Sequence, residues 1–366
     1  MKSLIFLLEF EKSTGGMMQS ALSLIYGLSE RGYSIIIICP PNSEIRRKCF
    51  NEHVQVLSTA CSWYTSKDKP LKFLKTSFAI YKLIQHDISN SILISNDLGA
   101  SFLISLFPCK HKEVFVCRGG RFTGFAGKVI KYKIKKRIYW TVATSKFQKD
   151  FIIKQCGMSN RLSVIHNGLK EPEIQYDRPQ LTRENLKISV VGYIAPGKNQ
   201  FEGVKLIKRL RDNGINAMLN IYGTVECQVD EVYNNKLQRL IDELNVRDCV
   251  HFKGFASQDE IYNNTDILIS FSFAEGFGRT LVEAMFRRRP VIAYRGAGGP
   301  IDITDNGNVG HLVDNNCAED YYNVINRILD NPESEMEQIE KAYDYAVSHF
   351  TEDVMVDNYD RLFQSL

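Results

Sequence analysis

Two carboxylates, Glu275 and Glu283, stand with seven residues between them in the run Glu275-Gly276-Phe277-Gly278-Arg279-Thr280-Leu281-Val282-Glu283. The glycines predict a turn, and the residues after them a helix start. Such a start points free backbone N–H groups, and the positive end of the helix dipole, at whatever anion lies above it. The preceding run, residues 265–272, is short and apolar, as suits a buried parallel strand. The turn therefore falls at a strand's carboxyl end, where open α/β sheets bind their ligands. Together these features predict a nucleotide-sugar site; the plainer alternative is an ordinary turn with surface acids.

Spacing argues against a glycosidase pair. Eight helical steps of about 1.5 Å would hold the two carboxylates roughly 12 Å apart, whereas glycoside hydrolysis needs them within about 5 to 9.5 Å. A loop start for Glu275 relaxes that distance, but the two acids would still serve different parts of one elongated ligand.

The elements that must position these residues are legible as alternation. In the first half, strand-like runs at 4–10, 33–39, 92–95, 114–117, 140–143 and 162–165 interleave with helical patterns at 17–30, 71–86 and 147–155. That is the signature of a parallel sheet with helices on its faces. Residues 170–181, rich in Pro, Glu and Gln and without periodicity, read as a linker. The alternation then restarts: strands at 188–191, 217–222, 250–252, 267–271 and 291–294, helices at 201–213 and 232–244, and two closing helices. Ser257 with Glu260 reads as a capping box opening a short helix. The expected architecture is α/β, two Rossmann-like domains facing across a cleft.

A chain of 366 residues with 44% hydrophobic content can bury a large core and should form about two domains. The apolar run at the start is short and soon interrupted by Glu9, which argues against a secretory signal. No run approaches the roughly 20 apolar residues of a membrane helix. Nine scattered cysteines without a CxxC favour a reducing cytoplasm over disulfides or zinc.

The net charge of +4 conceals a division. Residues 1–170 hold 26 Lys and Arg against 10 Asp and Glu; residues 171–366 hold 20 against 32. Such asymmetry points the first half at an anionic partner, membrane surface or nucleic acid. Within it, Lys128, Lys131, Lys133, Lys135, Lys136 and Arg137 alternate with Val129, Ile130, Tyr132, Ile134, Ile138, Tyr139 and Trp140. That pattern reads either as a membrane-surface element with interfacial aromatics or as a solvated helix face.

The chain resembles the GT4-type retaining glycosyltransferases, bacterial enzymes of GT-B fold, over nearly its whole length. Residues 275–283 resemble that family's EX7E motif, and Gly192 with Lys198-Asn199-Gln200 its diphosphate loop. Pro290-Val291-Ile292-Ala293, Gly298-Gly299 and Gly310-His311-Leu312-Val313 resemble its closing block. Gly15-Gly16 is similar to its first-strand glycine loop, and Val164-Ile165-His166-Asn167-Gly168 to its domain hinge. The resemblance implies an N-terminal acceptor-side domain at 1–170, a donor domain at 171–349, and a last helix at 350–366 that crosses back to the first domain. It implies a hexosyltransferase acting with retention in O-antigen, capsule or other surface-polysaccharide synthesis. The partners would be a UDP- or GDP-linked sugar and a saccharide or lipid-linked oligosaccharide acceptor, with no nucleic acid. The protein would be cytoplasmic, peripheral on the inner face of the cell membrane.

Sugar transfer from a nucleotide diphosphate develops negative charge on the leaving oxygen, so catalysis needs fixed positive groups there. A helix terminus stabilises an anion by at most about 2 kcal/mol; a dianion needs a lysine or arginine as well. Lys198, after a strand and a Pro196-Gly197 turn, is the first candidate, a solvated loop lysine being the alternative. By resemblance Glu275 is the catalytic partner that meets the donor sugar's hydroxyls, and Glu283 accepts from the ribose diol. Gly15, Gly16, Gly192, Gly276, Phe277, Gly278, Arg279, Thr280 and Leu281 complete the implied donor site. The family's arginine after the glycine is replaced by Tyr193, so the second cation is Arg279, Arg118 or absent. Arg118 and Arg121, in Cys117-Arg118-Gly119-Gly120-Arg121, are acceptor-side candidates or members of structural ion pairs. No DxD occurs and the histidines lack ligand spacing, so neither metal nor other cofactor is expected. The rivals are a sugar-nucleotide epimerase or hydrolase on the same fold and a nucleic-acid-binding protein using the basic half. A dinucleotide oxidoreductase is disfavoured, because the first turn lacks GxGxxG.

Overall fold

The structure is a computed structural model that describes residues 3–9, 15–59, 70–85, 91–108, 110–118, 122–173 and 176–366. The chain divides into two compact units, Met1–Leu169 with Phe350–Leu366, and Lys170–His349.

The first unit comprises β1 (Ser3–Leu7), α1 (Gly16–Glu30), β2 (Ile35–Cys39), β3 (Val54–Ser58), α2 (Pro70–Ile84), β4 (Ser91–Ser95), α3 (Leu98–Leu103), β5 (Lys112–Cys117), α4 (Gly124–Lys136), β6 (Trp140–Ala143), α5 (Lys146–Cys156) and β7 (Leu162–Val164). Its seven strands lie in the order β3-β2-β1-β4-β5-β6-β7, and the paired neighbours are parallel. Helices cover both faces of such a sheet, so its inner strands read as unbroken apolar runs. Ile35-Ile36-Ile37-Ile38 and the fully buried β4 follow that rule.

The second unit comprises β8 (Leu186–Val191), α6 (Gln200–Asp212), β9 (Ala217–Tyr222), α7 (Gln228–Glu243), β10 (Val250–Gly254), α8 (Gln258–Asn263), β11 (Ile267–Ser270), α9 (Arg279–Met285), β12 (Val291–Tyr294), α10 (Gly299–Ile303), β13 (His311–Val313), α11 (Ala318–Asp330) and α12 (Pro332–Phe350). Its six strands are ordered β10-β9-β8-β11-β12-β13. The sheet order reverses between β8 and β11, and that is where doubly wound folds open a crevice at the strands' carboxyl ends. Ser257 caps α8, its Oγ accepting from the Glu260 N–H at 3.2 Å, as the sequence predicts. The stretch expected as a linker is partly docked: Leu181 is buried in this unit's core, and Asp266 accepts from the Gln180 N–H at 3.0 Å.

Three helices close the chain. Pro332 opens α12, and Thr351 ends it by capping α13 (Glu352–Ser365). The last helix packs on α1 within the first unit. Gly27 admits it closely, because a Cβ there would lie 2.4 Å from Val356 Cγ2. Its entry is fastened to the end of the segment read as a hinge: Leu169 N–H donates to Phe350 O at 2.9 Å, and Glu352 N–H to Leu169 O at 3.1 Å.

The basic stretch requires a correction. Lys133, read as part of a surface-facing basic stretch, is only 4% exposed. Its Nζ lies 2.9 Å from Glu113 Oε2 and donates to Ser101 O at 2.7 Å. Helical periodicity turns Ile130, Lys133 and Ile134 inward and leaves Phe125, Lys128, Tyr132, Lys135 and Lys136 on the exposed face.

Candidate functional site

The loops that follow β8 and β11 emerge side by side at the reversal point of the second sheet. At the end of β8 stands Gly192, with φ of +144° and its N–H donating to Tyr222 O at 2.8 Å. A side chain there would be strained in backbone and would press to 3.3 Å of Lys198 Cε. The chain then makes a single turn of 3-10 helix at Pro196–Lys198, closed by Lys198 N–H to Ala195 O at 2.9 Å. Gln200 is fully buried and clamps the loop from below, its Nε2 donating to Tyr193 O at 2.8 Å. Of the four residues matched to the diphosphate loop, Gly192 has no side chain, Asn199 and Gln200 are buried, and Lys198 is the one that reaches outward.

After β11 the chain runs through Phe271 and a bend at Phe273 to Glu275. Glu275 is held by its backbone: its N–H donates to Ala297 O at 2.8 Å, and its carbonyl accepts from Gly299 N–H at 3.0 Å. A Cβ on Gly299 would fall 2.2 Å from Phe277 O, so the expected Gly298-Gly299 pair serves to let these two loops touch. Gly278, at φ of +108°, turns the chain into α9. The helix begins at Arg279, so Glu275 lies in the loop before it.

The two loops place Lys198 and Glu275 in direct contact, Nζ to Oε1. Their side chains are 31% and 18% exposed, which keeps the pair within reach of a ligand. Glu283, one helical stretch further, is largely buried. Its Oε2 accepts from the Tyr262 hydroxyl at 3.2 Å, and its Oε1 lies 3.8 Å from Arg279 Nη2. Burial raises its pKa above the usual carboxylate range, and Arg279, the Tyr262 hydrogen bond and Arg287 oppose that shift. Phe277 and Leu281, both placed in the donor site by resemblance, turn their side chains into the core. They are 4% and 0% exposed, and the Leu281 N–H is taken by Gly278 O at 3.0 Å. Gly276 and Thr280 lie between these anchors in the same loop and first helical turn.

The first sheet has its own reversal point, between β1 and β4. Gly15 precedes α1 with ordinary backbone angles, and a Cβ on it would meet nothing within 4 Å, so neither strain nor crowding by the protein requires glycine there. Gly16 is the first residue of α1. Arg118 is buried; its Nε donates to Asn96 Oδ1 at 3.0 Å and its Nη1 to Asn167 Oδ1 at 2.6 Å. Arg121 lies outside the described residues.

Sequence reasoning missed an acid pair at this point. Glu9 follows β1 and Asp97 follows β4, and their carboxyl groups interact. Burial first, then the charge of Asp97 and a hydrogen bond with it, push Glu9 up to about 8. Asp97 also caps α3, accepting from Ala100 N–H at 2.8 Å. A Cβ on Gly99 would fall 1.8 Å from Glu9 Oε2, so glycine there makes room for the carboxyl group. Tyr262 was missed too; for a tyrosine at a helix's inner position the one signal is a hydroxyl that must find a partner when buried.

Among the described residues, no group of three or more His, Cys, Asp or Glu could hold a metal ion. No helix among them is long and apolar enough to cross a membrane.

The family model described as "Glycosyl transferases group 1" matches residues 174–345. The poly(ribitol-phosphate) alpha-N-acetylglucosaminyltransferase of Staphylococcus aureus (strain COL) is 24% identical over 310 residues, 79% of this chain and 58% of that protein. The capsular polysaccharide biosynthesis glycosyltransferase CapM of Staphylococcus aureus is 26% identical over 185 residues, 47% of each chain. The chain thus matches about half the length of these curated relatives. Among solved structures, Anabaena HepE in complex with UDP and glucose superposes with a TM-score of 0.81 over 100% of both chains at 17% identity, a likeness of fold.

Proposed function

We propose, for a chain whose residues 174–345 belong to the group 1 glycosyltransferases and whose fold is GT-B, that it transfers a hexose from a nucleotide-diphosphate sugar, with retention, to a saccharide acceptor. The observation that carries this reading is the contact of Lys198 with Glu275 at the sheet's reversal point. A donor's diphosphate would take over the lysine's charge, while the sugar's hydroxyls donate to the carboxylate. As the bond from the anomeric carbon to the diphosphate oxygen breaks, charge grows on that oxygen, and a fixed ammonium beside it lowers the barrier. The anomeric carbon then bonds to the acceptor's hydroxyl oxygen, whose proton passes to the departing diphosphate oxygen. Glu283, held by Arg279 and Tyr262, would accept from the ribose diol. The HepE complex makes UDP the first nucleotide to test.

The acceptor is lipid-linked in this reading, and the pathway is that of a bacterial surface polysaccharide such as capsule or O-antigen. The protein works from the cytoplasm, peripheral on the inner face of the membrane. What supports the membrane contact is the outer face of α4, where Phe125 is 76% and Tyr132 55% exposed beside Lys128, Lys135 and Lys136. Aromatic side chains at headgroup depth with flanking lysines suit an anionic surface.

Incubation with UDP- and GDP-sugars and lipid-linked acceptors, followed by NMR of the product, tests the whole reading. The expected product keeps the donor's anomeric configuration. An inverted linkage would remove retention; no turnover of any nucleotide sugar would leave the basic half's binding of a polyanion as the better account.

A further inference from the structure

Tyr262 is completely buried, so its hydroxyl must be satisfied inside the protein. It faces two acceptors on α9, Thr280 O at 3.1 Å and Glu283 Oε2 at 3.2 Å. The tyrosine is itself fixed from two sides. Arg289 Nε donates to its carbonyl at 3.0 Å, and the Arg287 guanidinium lies 4.9 Å from its ring centroid. Arg287 is occupied elsewhere: it donates to the Glu283 carbonyl at 3.1 Å and to Gln258 Oε1 at 2.8 Å, and stands 3.9 Å from Asp259. The carboxylate of Glu283 is therefore held from one side by Tyr262 and from the other by Arg279.

We propose that Tyr262 is a positioning residue, which orients the Glu283 carboxylate to receive the donor's ribose hydroxyls. This rests on the transferase reading above. A carboxylate removed from water prefers to be protonated, and a protonated acid offers a diol fewer acceptor sites. Burial acts on Glu283 in that direction, against Arg279, the Tyr262 hydrogen bond and Arg287. Loss of the hydroxyl therefore raises the pKa of Glu283 further, and nucleotide affinity fades at a higher pH on the acid side.

Calorimetric titration of the full chain with UDP and with GDP tests this in Tyr262→Phe, Glu283→Ala and the double variant. Tyr262→Phe should bind the nucleotide about ten-fold more weakly, the scale of one lost hydrogen bond to a charged group, with its acid limb moved to higher pH. Adding Tyr262→Phe to Glu283→Ala should cost no further affinity, because a residue that acts through Glu283 has nothing left to orient. Unchanged binding by Tyr262→Phe, or an equal loss in the Glu283→Ala background, overturns the proposal while Glu283→Ala still weakens binding. Wild-type affinity in Glu283→Ala, or no binding of either nucleotide by the wild type, instead overturns the underlying reading and this inference with it.

Discussion

The carbonyl of Gly197 accepts a hydrogen bond from the Phe273 N–H at 3.0 Å, and so fastens the loop bearing Lys198 to the loop bearing Glu275. The two loops leave parallel neighbours, β8 and β11, whose register pairs Ile188 with Ile267. Sheet geometry thus brings together two residues separated by 77 positions, and one backbone bond sets their relative height.

From that arrangement, Lys198→Ala and Glu275→Ala should each lower turnover by about 10²-fold or more, on the scale of one preorganised electrostatic group. Both side chains are partly exposed, so folding should be little changed, the pair contributing at most about 1 kcal/mol as a solvent-facing ion pair. Steady-state kinetics with thermal melts check this; a fully active Lys198→Ala would remove the lysine from the site.

What was readable in advance follows from burial. Strands covered on both faces, such as residues 35–39 and 91–95, announce themselves as apolar runs. The edge strand β3 carries Gln55 and Ser58 and is only half buried, and it did not show. The six-residue α3 is too short for a helical period to register. The Glu275–Glu283 stretch was legible because its glycines, acids and flanking strand all fall within one segment. Lys133 was misread for the opposite reason. Its partner Glu113 lies 20 residues away on β5, and nothing local distinguishes a lysine with a buried partner from one on the surface. The Glu9–Asp97 pair was hidden likewise, by a sheet order that makes β1 and β4 neighbours.

That pair makes stability depend on pH. Glu9 is held protonated up to about 8 in the folded chain, whereas an unfolded glutamate ionises near 4.5. Between those values the folded state binds more protons than the unfolded state, so this contribution is complete at low pH and is lost as pH rises through the window. The titration belongs to the pair as a unit. Calorimetric melting across this range should show a decline that Glu9→Gln flattens; an equal decline in both proteins would refute the assignment.

No divalent metal should be required for turnover. The cationic work at the diphosphate is assigned to Lys198 and to backbone N–H groups, with Arg279, 3.8 Å from Glu283, as a further candidate cation. Activity should survive EDTA. Loss with EDTA and recovery with Mn²⁺ would mean that the diphosphate is neutralised by an ion instead.

The corrected face of α4 sharpens the membrane test. Each basic residue near an anionic surface contributes about 1 kcal/mol, a contribution that salt screens. Lys128, Lys135 and Lys136 face outward, while Lys133 is spent on Glu113. Flotation with phosphatidylglycerol vesicles at low salt should therefore recover the wild-type protein, and neutral vesicles or high salt should not. A combined Lys128→Gln, Lys135→Gln and Lys136→Gln variant should lose binding with its melting temperature nearly intact. Lys133→Gln should do the reverse, because removing one partner of a buried ion pair leaves the other charge uncompensated and destabilises by about 3–5 kcal/mol. Equal binding to anionic and neutral vesicles, or none to either, would make the outer face of α4 merely solvated.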